Sequence, residues 1–167
     1  KPMALFCEAN KDLYESIAVP LDDGAPDCHM WAKSGEERLV QITISQGFER
    51  LNLARELNDT GQGRAYLGVE ERAGREAFDT AVERPREMYT AEQAVDIFMA
   101  GLCEAISRKT QTRGNSILIV SAPFEALPAG KWEEAKPAMV EIAASSPFPE
   151  VFVVGNTDAS PLVLRLK

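Results

Sequence analysis

The sequence predicts an α/β fold in which a mixed central β-sheet is flanked by helices. Short segments that alternate apolar and polar residues dominate the first part of the chain, as in an antiparallel meander. Amphipathic helical segments separated by short apolar runs follow in the second part, as in α/β crossovers. The chain has 167 residues, of which 45% are hydrophobic, and no repeat or linker divides it. Residues 1–167 are therefore predicted to form a single domain.

The N-terminal segment has a helical pattern of acidic residues. Glu8, Asp12 and Glu15 fall at positions i, i+4 and i+7, which places them on one face of a helix predicted over Pro2–Ser16. Residues 17–21 follow as a short strand, and Pro20 predicts that this strand lies at a sheet edge, because proline cannot donate to a ladder.

Two strands and a short loop come next. Residues 27–31 form the first predicted strand, and the polar, glycine-containing residues 32–36 form a hairpin loop. The second strand, residues 37–45, places apolar Val40, Ile42 and Ile44 on one side, and Leu39 with the polar Gln41, Thr43 and Ser45 on the other. Antiparallel pairing of the two strands would bring Asp27 near the end of the second strand.

The rest of the chain alternates helices and strands. Thr90 and Gln93 form a capping box at the start of a helix. The apolar run Ser116–Ser121 predicts a central strand that is covered on both faces, and the helical crossover after it favours parallel pairing with the next strand. The remaining predicted elements are a helix over 46–58, a mobile or helical insertion over 59–89, a helix over 131–144 whose regular part starts near Pro137, and strands at 151–154 and 162–166.

The element order and one short motif resemble a known family. Pro26-Asp27 opens a strand, a hairpin follows, and Leu39-Val40-Gln41-Ile42-Thr43 is succeeded by a helix and further strands. This layout resembles the PD-(D/E)xK nuclease superfamily, which has the restriction-endonuclease-like fold. It is similar to a variant that has Thr where the Lys normally stands and Glu or Gln two residues before it. By element order the resemblance covers residues 3 to 121.

The resemblance implies a metal-dependent nuclease that hydrolyses phosphodiester bonds of DNA. Asp27 and Gln41 would hold Mg²⁺ or Mn²⁺, which prefer oxygen ligands, and Glu8 or Glu15 would be a further ligand. Thr43 would occupy the position of the Lys. Gln41 carries no negative charge and Thr43 no positive charge, so a cation such as Arg50, on the predicted helix after the second strand, would have to stabilise the transition state electrostatically.

The same residues also have purely structural interpretations. Asp is common at the start of turns, a Gln and Thr strand face is typical of a solvated antiparallel sheet, and an acidic helix face is commonly solvated. The alternative function is therefore a catalytically degenerate domain of the same fold that acts as a binding or regulatory protein.

Charge and cysteine content limit the partners and the compartment. The formal net charge of −8 disfavours a broad nucleic-acid surface, so DNA binding would need a local basic patch such as Arg108–Arg113, or a protein partner. Those basic residues also suit a helix C-terminus. The sequence contains no apolar run long enough to span a membrane. Three cysteines without C-x-x-C spacing favour a reducing, cytoplasmic location.

Overall fold

The computed structural model describes residues 2–21, 26–45, 74–83, 90–110, 115–122, 124, 131–156 and 160–167. A six-stranded sheet lies at the centre of this part of the chain, and its strands are arranged in chain order. They are β1 Tyr14–Ala18, β2 Cys28–Ala32, β3 Glu37–Ile44, β4 Ser116–Ser121, β5 Glu150–Asn156 and β6 Pro161–Arg165.

The sheet is mixed, as predicted, with an antiparallel meander followed by parallel strands; the antiparallel return of the last strand was not predicted. β1, β2 and β3 form an antiparallel meander, β3, β4 and β5 are parallel, and β6 returns antiparallel to β5. Gly35 has a positive φ of 84° in the hairpin loop between β2 and β3, and glycine adopts this conformation without the steric cost of a Cβ. A mixed α/β architecture is therefore present, with β1 and β6 at the two edges of the described sheet.

Helices cover both faces of the sheet. The described helices are α1 Pro2–Ala9, α2 Arg75–Glu83, α3 Ala91–Ser107 and α4 Lys131–Ala144. Side chains of α3 and α4, including Phe98, Leu102 and Met139, form one buried cluster with the sheet. Phe6 of α1 belongs to a second buried cluster on the opposite face. Its ring packs edge-to-face against Phe152, with the ring centroids 4.9 Å apart. We call the two groups of buried residues the α3/α4 cluster and the α1 cluster, and the sheet faces on which they lie the α3/α4 face and the α1 face.

The central strand β4 divides its side chains between the two faces. Leu118 and Val120 lie in the α3/α4 cluster, whereas Ile117 and Ile119 lie in the α1 cluster, and all four are fully buried. The apolar run at 116–121 therefore forms the doubly covered strand that the sequence predicts. The predicted capping box also forms: Thr90 Oγ1 accepts from Gln93 N–H, and Thr90 N–H donates to Gln93 Oε1.

Three predicted boundaries differ from the structure by three residues or more. The helix predicted over Pro2–Ser16 ends at Ala9, and residues 14–18 are strand β1 instead. Asn10 ends α1, because its side-chain amide donates to the Phe6 carbonyl at 2.8 Å and occupies an acceptor of the last turn. Helix α4 is regular from Lys131 and contains Pro137 in its interior. The edge strand predicted over residues 17–21 is β1, which lies three residues closer to the N-terminus, at Tyr14–Ala18.

The predicted insertion is only partly described. Residues 75–83 form α2, while 59–73 and 84–89 lie outside the described residues, as does the helix predicted over 46–58. Within the described ranges, no helix combines the length and the apolarity that a membrane crossing would require.

Candidate functional site

Asp27 lies beside β3 at the place that the hairpin predicts. The β2–β3 pairing sets Cys28 opposite Val40, and Asp27 directly precedes β2. Its Oδ2 accepts a hydrogen bond from the backbone N–H of Ile42 at 2.7 Å. The carboxylate therefore continues the contacts of the ladder beyond the last paired residue, close to the motif residues of β3.

Gln41 and Thr43 lie on the α3/α4 face. In the parallel β3–β4 register, Gln41 is the partner of Leu118 and Thr43 the partner of Val120. Both β4 residues belong to the cluster packed under α3 and α4. Thr43 is buried and Gln41 is half-buried. The two polar side chains thus stand beside a helix-covered apolar core, rather than on a solvated sheet face.

The two predicted acidic ligands lie in different elements. Glu8 is exposed on α1, which packs on the face opposite Gln41, and Glu15 is exposed in the edge strand β1. The predicted single helical face through these residues is wrong, because α1 ends before Asn10. The structure therefore does not bring Glu8 and Glu15 onto a common helix face beside Gln41.

The predicted cations are described only in part. Arg50 lies outside the described residues, and so do residues 111–113 of the predicted basic patch. Arg108 is the C-cap of α3, where its N–H donates to the carbonyls of Glu104 and Ile106. Among the described residues, no group of three or more His, Cys, Asp or Glu side chains is arranged to hold a metal ion.

A polar network at the opposite end of β3 was not predicted from the sequence. Arg38 donates to Asn115 Oδ1 at 2.8 Å and to Glu150 Oε1 at 2.9 Å, and it lies 3.0 Å from Glu36 Oε1. Arg165 is 3.4 Å from the other oxygen of Glu150. These contacts tie β3, β5 and β6 together across the start of β4. The partners are up to 112 residues apart in the sequence, so no local sequence pattern could predict these contacts.

Tyr14 lies at the border of this network and anchors the start of β1. Its ring is 6.0 Å from that of Phe6, and it packs against the α1 cluster. Burial raises the pKa of the Tyr14 hydroxyl, and the Glu150 carboxylate adds to this effect. Tyr14 is therefore packed against the α1 cluster, whereas Leu13 before it and the other residues of β1 are exposed.

An exposed apolar surface borders the sheet edge. Leu13, Ile17, Val19 and Leu21 are 59%, 42%, 65% and 98% exposed, and together we call them the β1 edge surface. They make up four of the six large hydrophobic residues described as exposed, and the other two are Ile44 and Val140. Such concentration marks an interaction surface more strongly than scattered apolar residues do. Alternation did not reveal it, because the apolar residues extend beyond both ends of the strand.

Ser45, directly after β3, is a buried polar residue. Its N–H donates to the Ser121 carbonyl at 3.0 Å, but its Oγ makes no hydrogen bond in the described structure. A buried hydroxyl without a partner is destabilising relative to a bonded one.

Comparison with known proteins found no matching family model, no matching curated protein and no matching solved structure.

Proposed function

We propose that this chain is a catalytically degenerate member of the restriction-endonuclease-like fold, and that it acts as a binding or regulatory protein. The observation that carries the proposal is the β1 edge surface, where exposed apolar residues gather beside the outermost described strand. Large apolar side chains held in water gain free energy when a partner covers them, at roughly 25 cal/mol for each Å² removed from water.

The roles of the motif residues support a non-catalytic domain. Asp27 Oδ2 accepts from the backbone N–H of Ile42, which lies beyond the last residue of β3 that pairs with β2. Gln41 and Thr43 are neutral side chains next to the helix-covered core, and Glu8 belongs to the other face of the sheet. The contact of Asp27 is explained by strand pairing, and Glu8 lies on a different face from Gln41 and Thr43. Shared metal binding is therefore not needed to explain where these residues lie.

The polarity of the β1 edge surface favours a protein over a nucleic acid. The surface is apolar, and the neighbouring Asp12 and Glu15 are acidic and exposed. A phosphate backbone requires clustered Lys and Arg. A protein partner can instead bury apolar side chains and pair backbone groups along a sheet edge.

A second candidate is the Mg²⁺- or Mn²⁺-dependent hydrolysis of DNA. The observation that favours it is the 2.7 Å contact between Asp27 Oδ2 and Ile42 N, because Ile42 lies between Gln41 and Thr43. In that case Asp27 and Gln41 would be ligands, Arg50 would stabilise the transition state, and the basic residues around Arg108 would contact DNA. Metal-bound water would be the nucleophile.

A cleavage assay separates the two candidates. The purified chain is incubated with supercoiled plasmid, single-stranded DNA and RNA in Mg²⁺ or Mn²⁺. The same assay is run on Asp27→Ala and on Asp96→Ala, a matched control that removes an exposed carboxylate of α3. The binding proposal expects no cleavage that depends on Asp27. Cleavage by the wild type and Asp96→Ala that is lost in Asp27→Ala would establish the nuclease and refute the proposal.

A crosslinking experiment tests the binding surface directly. A photoreactive phenylalanine analogue replaces Val19 of the β1 edge surface or, as the control, Val140, which is exposed on α4. Both chains are produced in the native host and irradiated, and adducts are identified by mass spectrometry and re-bound as purified proteins. We expect a defined adduct from position 19 alone. Identical adducts from both positions, or none from position 19, would contradict this surface.

A further inference from the structure

The β1 edge surface lies in the most acidic part of the N-terminal region. Residues 8–23 contain five acidic residues and one lysine, a net charge of −4 that makes up half of the net −8 of the whole chain. The acidic residues are Glu8, Asp12, Glu15, Asp22 and Asp23, and the lysine is Lys11. The first three acidic residues are exposed in the structure. This charge raises the local concentration of positively charged partners and repels negatively charged ones.

We propose that the β1 edge surface binds an extended segment of a partner protein in which basic and apolar residues alternate. The segment pairs with the outer edge of β1 and adds a further strand to the sheet. Addition of a strand supplies backbone hydrogen bonds, while the alternating side chains supply specificity. This inference rests on the proposed binding function and specifies the chemistry of the partner.

The α1 side of β1 suits the apolar residues of the incoming segment. Ile17 is the register partner of Met30, and Met30 is fully buried in the α1 cluster. Ile17 itself is only partly covered, so it ends the row of apolar side chains that runs across the sheet. An apolar residue placed beside Ile17 would extend this row by one strand.

The opposite side of β1 suits the basic residues. Ser16 and Ala18 are small, and their register partners are Trp31 and His29. The Trp31 and His29 rings stack with centroids 6.0 Å apart, and both residues are half-buried. A long Lys or Arg side chain can extend across Ser16 or Ala18 toward the Trp31 ring, whose face attracts cations. Apolar and basic preferences therefore alternate along β1 as its side chains do.

A second copy of this chain is a poorer occupant than a basic segment. Self-pairing would bring two acidic segments together, at a cost in repulsion. The register of β1 also shifts between Tyr14 and Ser16, which leaves Glu15 as an extra residue, and Pro20 lacks a backbone donor. A bulge, a charge and a proline shorten the part of β1 that can pair with any added strand, and two copies that both carry these features would pair over a still shorter stretch. Only residues 16–18 of β1 remain for regular pairing, so we expect a small interface and micromolar affinity.

A peptide selection tests the proposed chemistry. The full chain is immobilised, a displayed library of random peptides is selected against it, and each enriched peptide is bound in competition with the others. We expect enrichment of peptides that alternate basic and apolar residues and compete for one site. Enrichment of acidic or helical peptides, or no enrichment, would overturn the inference.

Variants of the chain locate the peptide on the surface. Glu15→Lys should weaken the binding of the best basic peptide about tenfold, because an attraction becomes a repulsion. Val19→Thr should also weaken it, whereas Val140→Thr, an equivalent change of an exposed valine on α4, should leave it unchanged. Far-ultraviolet circular dichroism checks that each variant is folded. Equal binding by all three variants would overturn the placement on β1.

Modified peptides test the strand pairing. N-methylation of alternate peptide amides removes backbone donors on one edge and keeps every side chain. Methylation on the edge that faces β1 should weaken binding about fivefold for each donor lost, whereas methylation of the intervening amides should have little effect. Insensitivity to both patterns would refute strand addition. Asp27-dependent cleavage would instead refute the proposed function, and a defined position-19 adduct with a partner that lacks a basic segment would refute only this inference.

Discussion

Strands β4 and β1 belong to one sheet but have opposite surroundings. β4 is paired on both sides, and its residues 117–120 are fully buried between two helical layers. β1 is paired on one side within the described sheet, and after Tyr14 all its residues are exposed. The centre can be explained by packing alone, whereas the edge keeps apolar residues in water. The binding surface that we propose therefore lies at the edge of the sheet, where apolar side chains remain exposed.

The largest effect should follow truncation in the central strand. Ile119→Ala removes a fully buried side chain from the α1 cluster and should lower the free energy of unfolding by about 2–5 kcal/mol. The matched change Ile17→Ala in β1 should cost about 1 kcal/mol or less, because Ile17 is already partly in water. Urea unfolding followed by tryptophan fluorescence measures both values. Equal losses would mean that β1 is as firmly packed as β4.

A close approach of two backbones beside β4 gives the next effect. A Cβ added at Gly155 would overlap the Ala122 carbonyl oxygen and lie 2.9 Å from the Phe124 ring. Gly155→Ala should therefore destabilise the fold by about 1–3 kcal/mol. Gly74→Ala is the control, since its added Cβ meets nothing within 4 Å among the described residues other than its chain neighbours. Chemical denaturation of the two variants should separate them clearly, and similar midpoints would disprove the close approach.

The Arg38 network connects the N-terminal ends of the central strands, and its loss should have a smaller effect. Arg38→Met keeps most of the aliphatic stem but removes the donors to Asn115 and Glu150. We expect a loss of about 1–2 kcal/mol, between the values for exposed ion pairs and for hydrogen bonds to charged groups. Arg75→Met, which removes the exposed pair with Asp79, should cost a few tenths of a kcal/mol. Thermal unfolding at low and high salt compares them. A larger loss for Arg75→Met would contradict this ranking.

The contrast between centre and edge also explains which features could be predicted from the sequence. The run at 116–121 and the Thr90–Gln93 box are local signals, and both are confirmed. The spacing of Glu8, Asp12 and Glu15 predicted a long helix wrongly, because exposed residues can follow a helical spacing without any packing to enforce it. Asn10 was the available signal, since Asn commonly ends helices.

In the candidate site, too, locally determined features could be predicted, whereas those that depend on the assembled sheet could not. Hairpin geometry correctly predicted that Asp27 lies near the end of β3. The sequence did not reveal that its carboxylate accepts from the Ile42 N–H, because the orientation of a side chain at a strand end depends on which backbone groups the neighbouring strand leaves unpaired. The Arg38–Glu150 contact likewise depends on the completed sheet.

Chemical modification of the cysteines has the smallest expected effect on the fold and still compares buried with exposed regions. Cys103 is exposed on α3, Cys7 is half-buried on α1, and Cys28 is buried in β2. Burial raises the pKa of both the Cys7 and Cys28 thiols, and Asp27 and Cys7 add to the rise at Cys28. Since the thiolate is the reactive form, iodoacetamide at pH 8 should modify Cys103 first and Cys28 last. Mass spectrometry of timed samples measures the order, and Cys103→Ser should remove only the fast step. Modification of Cys28 as fast as Cys103 under native conditions would mean that β2 opens readily, and that the exposed edge extends inward beyond β1.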